Sequence, residues 1–341
     1  MKYTFDWNEY ATLARQAVAE GCVLLRNEDS ALPIRKGEAV SVFGRIQFDY
    51  YKSGTGSGGM VNAPYVVGIL DALLEREDIK VNQKLMKLYQ DWVAENPFDE
   101  GEGWAQEPWC QKEMELTDEQ IKEAAKNSDV AVIVIGRTAG EDKDNSATEG
   151  SYLLTREEES MIAGVCKAFS RVAVVLNVGN IIDMKWVDKY QPQAVLYAWQ
   201  GGMEGGNGVV DVLTGAVNPC GKLSDTIAND IEDYPSTKNF GDTKQNIYAE
   251  DIYVGYRYFE TVAKDKVKYP FGFGLSYTQF KQELVSYSVL DGADSIVMKV
   301  TNIGKTAGKE VVQAYVCPPQ GKLGKPARNL VGFAKTALLE P

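Results

Sequence analysis

The sequence contains no histidine among its 341 residues. This absence excludes Ser-His-Asp and Cys-His triads, His-ligated zinc and histidine acid–base catalysis within this chain. Proton transfer must therefore rely on carboxylates, lysine, tyrosine or cysteine, and Asp and Glu are the simplest choice.

Cysteine and long apolar runs are also scarce. The five cysteines are dispersed and form no CxxC pair, which predicts neither a disulfide framework nor a thiolate metal site. No apolar run reaches the ~18 residues of a membrane span, and the N-terminal residues lack the apolar core of a signal peptide. We therefore expect no membrane association, no metal, no cofactor and a cytoplasmic location.

Basic residues are outnumbered by acidic ones. Lys and Arg total 36 against 48 Asp and Glu, for a formal net charge of −12. An acidic balance without a basic stripe argues against binding to nucleic acid or to anionic membranes.

Apolar runs rich in β-branched residues alternate with helical patterns through most of the chain. This alternation of strand and helix patterns predicts an α/β domain with a doubly wound, mostly parallel sheet over residues 1–275. Capping-box patterns at Thr117-x-x-Gln120 and Thr155-x-x-Glu158 predict two helix starts. The predicted strands cover residues 39–43, 130–135, 172–176 and 194–199.

The pattern changes near residue 280 to period-two alternation, which is typical of antiparallel β structure. Residues 276–341 offer three or four strands, whereas a closed sandwich needs about seven. We expect this segment to be a partial β sandwich that is cut short.

An acidic loop follows the central predicted strand, in the stretch DVAVIVIGRTAGEDKDNSATEG at 129–150. Its acids are Glu141, Asp142, Asp144 and Glu149. Ligands of open α/β sheets bind at the carboxyl ends of the strands, so this loop is a candidate site. The alternative is an ordinary solvated loop.

A glycine-rich segment, KSGTGSGG, occupies residues 52–59. Glycine-rich turns can bind phosphate, but the spacing is not GxxxxGK[ST], and Pro64 precedes the helix predicted over 65–74. The other interpretations are a flexible turn or a backbone that approaches a ligand closely.

Trp104 and Trp109, in an irregular segment, are either sugar platforms or packing residues.

Several stretches resemble the glycoside hydrolases of family 3, which include β-glucosidases. They are AVAEGCVLLRNEDSALPI, KSGTGSGG, GRTAGEDKDN, WQGGMEGGNGVVDVLTGAVNPCGKL, YAEDIYVGYRYFE and YPFGFGLSYTQF, spread in order over the chain. The resemblance implies an α/β sandwich domain followed by the start of a fibronectin-III-like domain. A TIM-type barrel, which carries the nucleophilic Asp in this family, has no counterpart here. It is expected on a downstream part of the polypeptide, in a permuted domain order, or on another chain.

The resemblance also assigns site residues. Glu141 matches the general acid/base of the family motif GEGYDR, and Asp144 matches the Asp that follows it. Asn145 departs from the pattern, since Arg is often found there. Ser57 matches a serine that contacts the sugar, and Glu149 is the fallback acid. The implied activity is retaining hydrolysis of terminal non-reducing β-D-glucosyl residues from oligosaccharides or glycosides.

Retaining hydrolysis needs one ionised and one protonated carboxyl about 5–5.5 Å apart. A solvated Glu has a pKa of about 4.3, so the acid must be tuned upward by burial or by a like charge. We therefore expect Glu141 to work only when its loop is docked on the barrel.

Two other classes of function stay open, a nucleotide-binding α/β module and a non-catalytic carbohydrate-binding module. Self-association into a homo-oligomer is also open.

Overall fold

The computed structural model describes residues 4–59, 61–141 and 143–341. The chain divides into two compact units, the first ending at Val217 and the second spanning Asn218–Pro341. The second unit therefore contains the end of the predicted α/β segment together with the β segment. The domain boundary predicted after residue 275 stays a prediction.

The described strands of the first unit are β1 Val23–Asn27, β2 Ala39–Phe43, β3 Lys80–Val81, β4 Val130–Arg137, β5 Val172–Val178 and β6 Ala194–Tyr197. They form one six-stranded sheet, in the order β1-β6-β5-β4-β2-β3. All pairs are parallel except β1 with β6. Every residue of β4 and β5 is buried, because helices cover both faces of a doubly wound sheet. The predicted fold class is confirmed.

Helices connect these strands, and their starts follow the local capping chemistry. Thr117 and Thr155 each cap a helix through the predicted capping box, with the Thr hydroxyl accepting the backbone N–H three residues later. The helices of this unit are α1 Trp7–Gly21, α2 Ile69–Leu74, α3 Gln83–Glu95, α4 Asp118–Lys126, α5 Arg156–Ala168, α6 Lys185–Tyr190 and α7 Gly205–Leu213.

The helix predicted over 65–74 is shorter than expected, since α2 begins at Ile69. The backbone just before α2 makes hydrogen bonds to a distant part of the chain. The Val67 N–H donates to the Met203 carbonyl (2.9 Å), and the Val67 carbonyl accepts from the Gly206 N–H (2.9 Å). A helix that began at Tyr65 would direct the Val67 carbonyl to the N–H of Asp71, whereas here that carbonyl accepts from Gly206.

The chain order of the strands places a topological switch point between β2 and β4. The chain leaves β2 for β3 on one side, then crosses back to β4 and continues outward through β5 and β6. Loops that follow β2 and β4 therefore meet at the carboxyl edge of the sheet, where ligands of open α/β sheets bind.

In the second unit, the described strands pair into three two-stranded antiparallel sheets. The expected antiparallel β structure is therefore confirmed. The cross-strand pair Tyr287 and Ile296 lies on one face of the hairpin over residues 280–302, where these side chains are 60% and 48% exposed. The elements are β7 Ile227–Ala228, α8 Tyr256–Val262, β8 Val267–Tyr269, β9 Phe280–Leu290, β10 Ala293–Asn302, β11 Val311–Val316 and β12 Asn329–Lys335.

Candidate active site at the carboxyl edge of the sheet

Glu141 and Ser57, 84 positions apart in sequence, are brought into direct contact at the switch point. The Ser57 hydroxyl donates to Glu141 Oε2 (2.9 Å), and the Ser57 backbone N–H donates to the same oxygen (3.1 Å). Oε2 is thus held by two donors from one residue. The structure therefore unites two residues that the family resemblance had singled out separately.

The glycine-rich segment lies against the acidic loop because its glycines carry no side chain. A Cβ on Gly54 would lie 1.8 Å from the Ala139 carbonyl oxygen, and one on Gly56 would lie 2.4 Å from the Glu141 Cβ. The Thr55 N–H donates to the Ala139 carbonyl at 2.6 Å. The segment is thus a backbone that approaches another backbone closely.

This arrangement disfavours the phosphate-binding interpretation of the glycines. Phosphate loops present free backbone N–H groups at the start of a helix. Here the N–H groups of Thr55 and Ser57 are already donated to the acidic loop. The next helix, α2, begins only at Ile69.

Replacing Gly56 with alanine should displace Glu141. The φ of Gly56 is +79°, which is unfavourable for alanine, and the new Cβ would clash with the Glu141 side chain. A misplacement of about 1 Å at a reacting group can cost about 10²-fold in rate. We expect a loss of that order in kcat/KM for the aryl β-glucoside hydrolysis that the family resemblance implies, measured on the intact protein.

Gly58→Ala is the matched control, since a Cβ there would meet nothing within 4 Å. It should leave kcat/KM unchanged. Equal activity of the Gly56→Ala and Gly58→Ala enzymes would show that the close approach to Glu141 has no functional consequence.

The Glu141 carboxyl is exposed, and its environment favours the ionised form. The Ser57 backbone N–H, followed by the Ser57 hydroxyl, lowers the pKa of Glu141, because both donate to the charged carboxylate. A general acid at neutral pH needs a shift in the opposite direction. The residues of this chain therefore do not by themselves prepare Glu141 to donate a proton.

Replacing Ser57 with alanine should raise the pKa of Glu141, because the carboxylate loses one of its two donors. The pKa should stay below its ordinary value, since the backbone N–H remains. The protonated form of Glu141 would persist to higher pH, so in the hydrolysis that the family resemblance implies the alkaline limb of the kcat/KM profile should move to higher pH. A carbon-detected NMR titration of the Glu141 carboxyl measures the shift directly.

Thr55→Val is the control for that titration, since the Thr55 hydroxyl donates to the backbone carbonyl of Glu141 (3.2 Å) and not to its carboxylate. It should leave the pKa of Glu141 near that of the parent. A lowered or unchanged pKa in Ser57→Ala would contradict the assigned role of the hydroxyl.

The remaining acids of the loop are arranged differently. Asp144 is exposed, and among the hydrogen bonds of the described residues none joins its carboxylate to Glu141 or Ser57. Glu149, the fallback acid, is also exposed. Asp142 lies outside the described residues. The structure thus brings together Ser57 and Glu141 but not Asp144, the third predicted site residue.

Asn145, where the sequence departs from the family pattern, anchors the loop to its neighbour. Its Nδ2 donates to the Ile181 carbonyl (2.9 Å), and its Oδ1 accepts from Asn180 Nδ2 (3.2 Å). Amide groups, without a charged side chain, therefore fasten the acidic loop to the loop that follows β5.

Loops from four strands surround an open depression of about 630 Å³. Ser57 comes from the loop after β2, Glu141 from the loop after β4, Asn180 from that after β5 and Gln200 from that after β6. All four loops follow carboxyl ends of parallel strands, as the switch-point rule predicts.

Two buried polar residues that the sequence analysis did not single out, Arg137 and Asn177, support the base of this site. Arg137, the last residue of β4, pairs with Glu158 through two hydrogen bonds of 2.6 Å and also donates to the Ser151 carbonyl (3.0 Å). Both side chains are nearly inaccessible, at 2% and 4% exposure. Burial lowers the pKa of Arg137, but the adjacent Glu158 carboxylate outweighs it and raises the pKa overall.

Asn177 is the second missed residue. Its Oδ1 accepts from the Tyr51 N–H (2.9 Å), and its Nδ2 donates to the carbonyls of Tyr51 (3.0 Å) and Trp199 (2.7 Å). One fully buried amide therefore joins β5 to the loops after β2 and β6. An Asn at the end of an otherwise apolar strand was the available sequence signal.

In the described part of the chain, no group of three or more His, Cys, Asp or Glu residues is arranged to hold a metal ion. Among the same residues, no helix has the length and apolar character needed to cross a lipid bilayer.

Comparisons with known proteins agree with this architecture. Residues 22–277 match the glycosyl hydrolase family 3 C-terminal domain, and residues 310–341 match the fibronectin type III-like domain. A β-glucosidase of Ruminococcus albus is 57% identical over 336 residues, covering 98% of this chain and 35% of that protein. β-Glucosidase A of Butyrivibrio fibrisolvens is 44% identical, covering 98% of this chain and 44% of that protein.

Solved structures show the same similarity. A β-glucosidase from Paenibacillus barengoltzii superposes with a TM-score of 0.96 at 55% identity, covering all of this chain and 38% of that one. β-Glucosidase 3B from Thermotoga neapolitana, in complex with glucose, superposes with a TM-score of 0.90 at 38% identity, covering 98% and 48%. The chain thus spans about a third to a half of the length of these relatives.

Proposed function

Because the chain belongs to glycosyl hydrolase family 3, we propose that it supplies the acid/base half of a retaining β-glucosidase active site. The observation that carries this proposal is the Ser57–Glu141 contact in an open depression at the switch point of the sheet. Glu141 is the general acid/base, and Ser57 and Asp144 contact the sugar. The substrate is a terminal non-reducing β-D-glucosyl residue of an oligosaccharide or glycoside.

The chemistry requires a second carboxyl, which this chain is not expected to supply. In the first step an Asp of the TIM-type barrel attacks the anomeric carbon while Glu141 protonates the departing oxygen. In the second step Glu141, now ionised, takes a proton from the water that releases the glucosyl group. The barrel belongs to the part of such an enzyme that this chain, at 35–48% of the length of these relatives, does not cover.

The lowered pKa of Glu141 supports a division of the site between two domains. An exposed carboxylate with two hydrogen-bond donors is ionised at neutral pH and cannot act as an acid. Docking of the barrel would remove water from the carboxyl and bring the like charge of the nucleophile near it. Both changes raise a carboxyl pKa.

The test compares this chain alone with the chain joined to the barrel. An aryl β-glucoside should be inert to the isolated chain and hydrolysed once the barrel-bearing polypeptide is present. Hydrolysis by the isolated chain would overturn the division of the site. Glucose binding without turnover in the intact protein would instead identify a non-catalytic carbohydrate-binding module.

A further inference from the structure

Gln200, in the loop after β6, lines the same depression as Glu141. Its side-chain Nε2 donates to the backbone carbonyl of Arg137, the last residue of β4 (3.3 Å). Only the NH₂ group of a Gln side chain can donate to a carbonyl, so this contact identifies the nitrogen and leaves Oε1 on the other side of the amide. Among the hydrogen bonds of the described residues, none reaches Gln200 Oε1. The amide therefore has an acceptor oxygen available to a ligand.

The backbone on both sides of Gln200 is held by hydrogen bonds. The Trp199 carbonyl accepts from Asn177 Nδ2 (2.7 Å), and the Gly201 N–H donates to the Tyr50 hydroxyl (3.0 Å). Trp199 has a φ of +55°, a left-handed conformation that bulky residues rarely adopt. Such conformations cost free energy and cluster at functional sites. The fold thus holds Gln200 in one position at a cost in stability.

Gly179, in the loop after β5, makes room for the amide of Gln200. A Cβ at this glycine would lie 2.8 Å from Gln200 Oε1 and 2.9 Å from its Cδ. It would also lie 2.7 Å from the Cβ of Ala139, two residues before Glu141. The loops after β4, β5 and β6 therefore converge on a position that has no space for a side chain, and the carboxamide lies directly against it.

The amide oxygen of Gln200 needs a hydrogen-bond donor once a substrate fills the depression. Gln200 is half-buried, so solvent can reach it while the depression is open. A bound substrate would exclude that solvent, and a buried acceptor left without a donor carries the full penalty of its desolvation. The donors that every substrate of the proposed enzyme brings are the hydroxyl groups of its glucosyl unit.

We propose that Gln200 Oε1 accepts a hydrogen bond from one hydroxyl of the glucosyl unit and so contributes to the selection of that sugar. This inference rests on the proposed function, since it assumes that a glucosyl unit binds beside Glu141. The Gln200 side chain has no ionisable group, so its part is recognition of the sugar and not proton transfer.

The experiment combines Gln200→Met, which keeps the length of the side chain and removes the amide, with aryl β-glucosides that lack one hydroxyl, at C2, C3, C4 or C6. On the aryl β-glucoside with all its hydroxyls, the variant should lose about 10- to 100-fold in kcat/KM of the intact protein, the usual effect of leaving one buried polar group without its partner. On one of the deoxy substrates the same change should cost nothing further, because the partner hydroxyl is already absent. On the others the loss should persist in full.

Gln83→Met is the matched control. Gln83 Nε2 also donates to a backbone carbonyl, that of Val81 (3.2 Å), but Gln83 is not among the residues that line the depression. This variant should match the parent on every substrate. Similar losses for Gln200→Met on all the deoxy substrates would show that the amide only supports its loop, and would overturn the inference. Unchanged activity on the complete aryl β-glucoside would overturn it as well. A parent protein that does not hydrolyse that glucoside would overturn the proposed function, which is a different result from an active enzyme without the selective loss.

Discussion

Replacing Glu141 with glutamine should lower kcat/KM of the proposed β-glucosidase on glycosides with poor leaving groups by about 10²- to 10⁴-fold, the usual contribution of a general acid. The amide has nearly the same shape and can still accept from the Ser57 hydroxyl, so the loop should keep its position. It has no acidic proton to donate to the departing oxygen. An aryl glucoside with an activated leaving group needs little protonation, so its first step should be spared.

The second step of the proposed reaction, in which water releases the glucosyl group, gives an independent test of the same residue. Without a general base, the glucosyl-enzyme should accumulate, and a small anion such as azide, which needs no deprotonation, should restore turnover. Glu149→Gln changes the fallback acid, an exposed residue of the same loop, and should behave like the parent. Equal losses on good and poor leaving groups would reject Glu141 as the acid, and a larger defect in Glu149→Gln would reassign the role.

Replacing Arg137 with methionine should destabilise the chain by about 3–5 kcal/mol, the usual cost of removing one partner of a buried ion pair. Glu158 would be left 4% exposed with neither of its two 2.6 Å hydrogen bonds from Arg137. The Ser151 carbonyl would lose its donor as well. Denaturant unfolding, with the midpoint and slope both fitted, measures the change.

Two further variants test whether that loss of stability comes from the buried charge. Arg156, at the start of α5, has a side chain 74% exposed, and its described ion pairs are with the exposed Glu115 and the partly exposed Glu157, so Arg156→Met should cost less than about 1 kcal/mol. The double change Arg137→Met with Glu158→Met should recover much of the stability, because no charge is left buried alone. Recovery would be incomplete, since Glu158 also accepts from the Thr155 N–H in the capping box. A cost below about 1 kcal/mol for Arg137→Met would contradict the assigned role of the pair.

Local features of the fold were predictable because their causes lie within a few residues. The strands β2, β4, β5 and β6 and the capping boxes at Thr117 and Thr155 were all located from pattern alone. The error at α2 has a tertiary cause, since the backbone of Val67 hydrogen-bonds to Met203 and to Gly206 at the start of α7. Glu158 was recognised as a local cap, but its pairing with Arg137 depends on packing that periodicity does not encode.

The sequence by itself determined that carboxylates and not histidine are available for proton transfer, and that the chain contains an acidic loop and a glycine-rich turn, because residue types and short-range order suffice for that. Only the tertiary structure decided that Ser57 and Glu141 touch, since their contact requires β2 and β4 to be neighbours across a switch point. It also decided the direction of the pKa shift of Glu141. That direction depends on two donors from a residue 84 positions away, which no local pattern specifies.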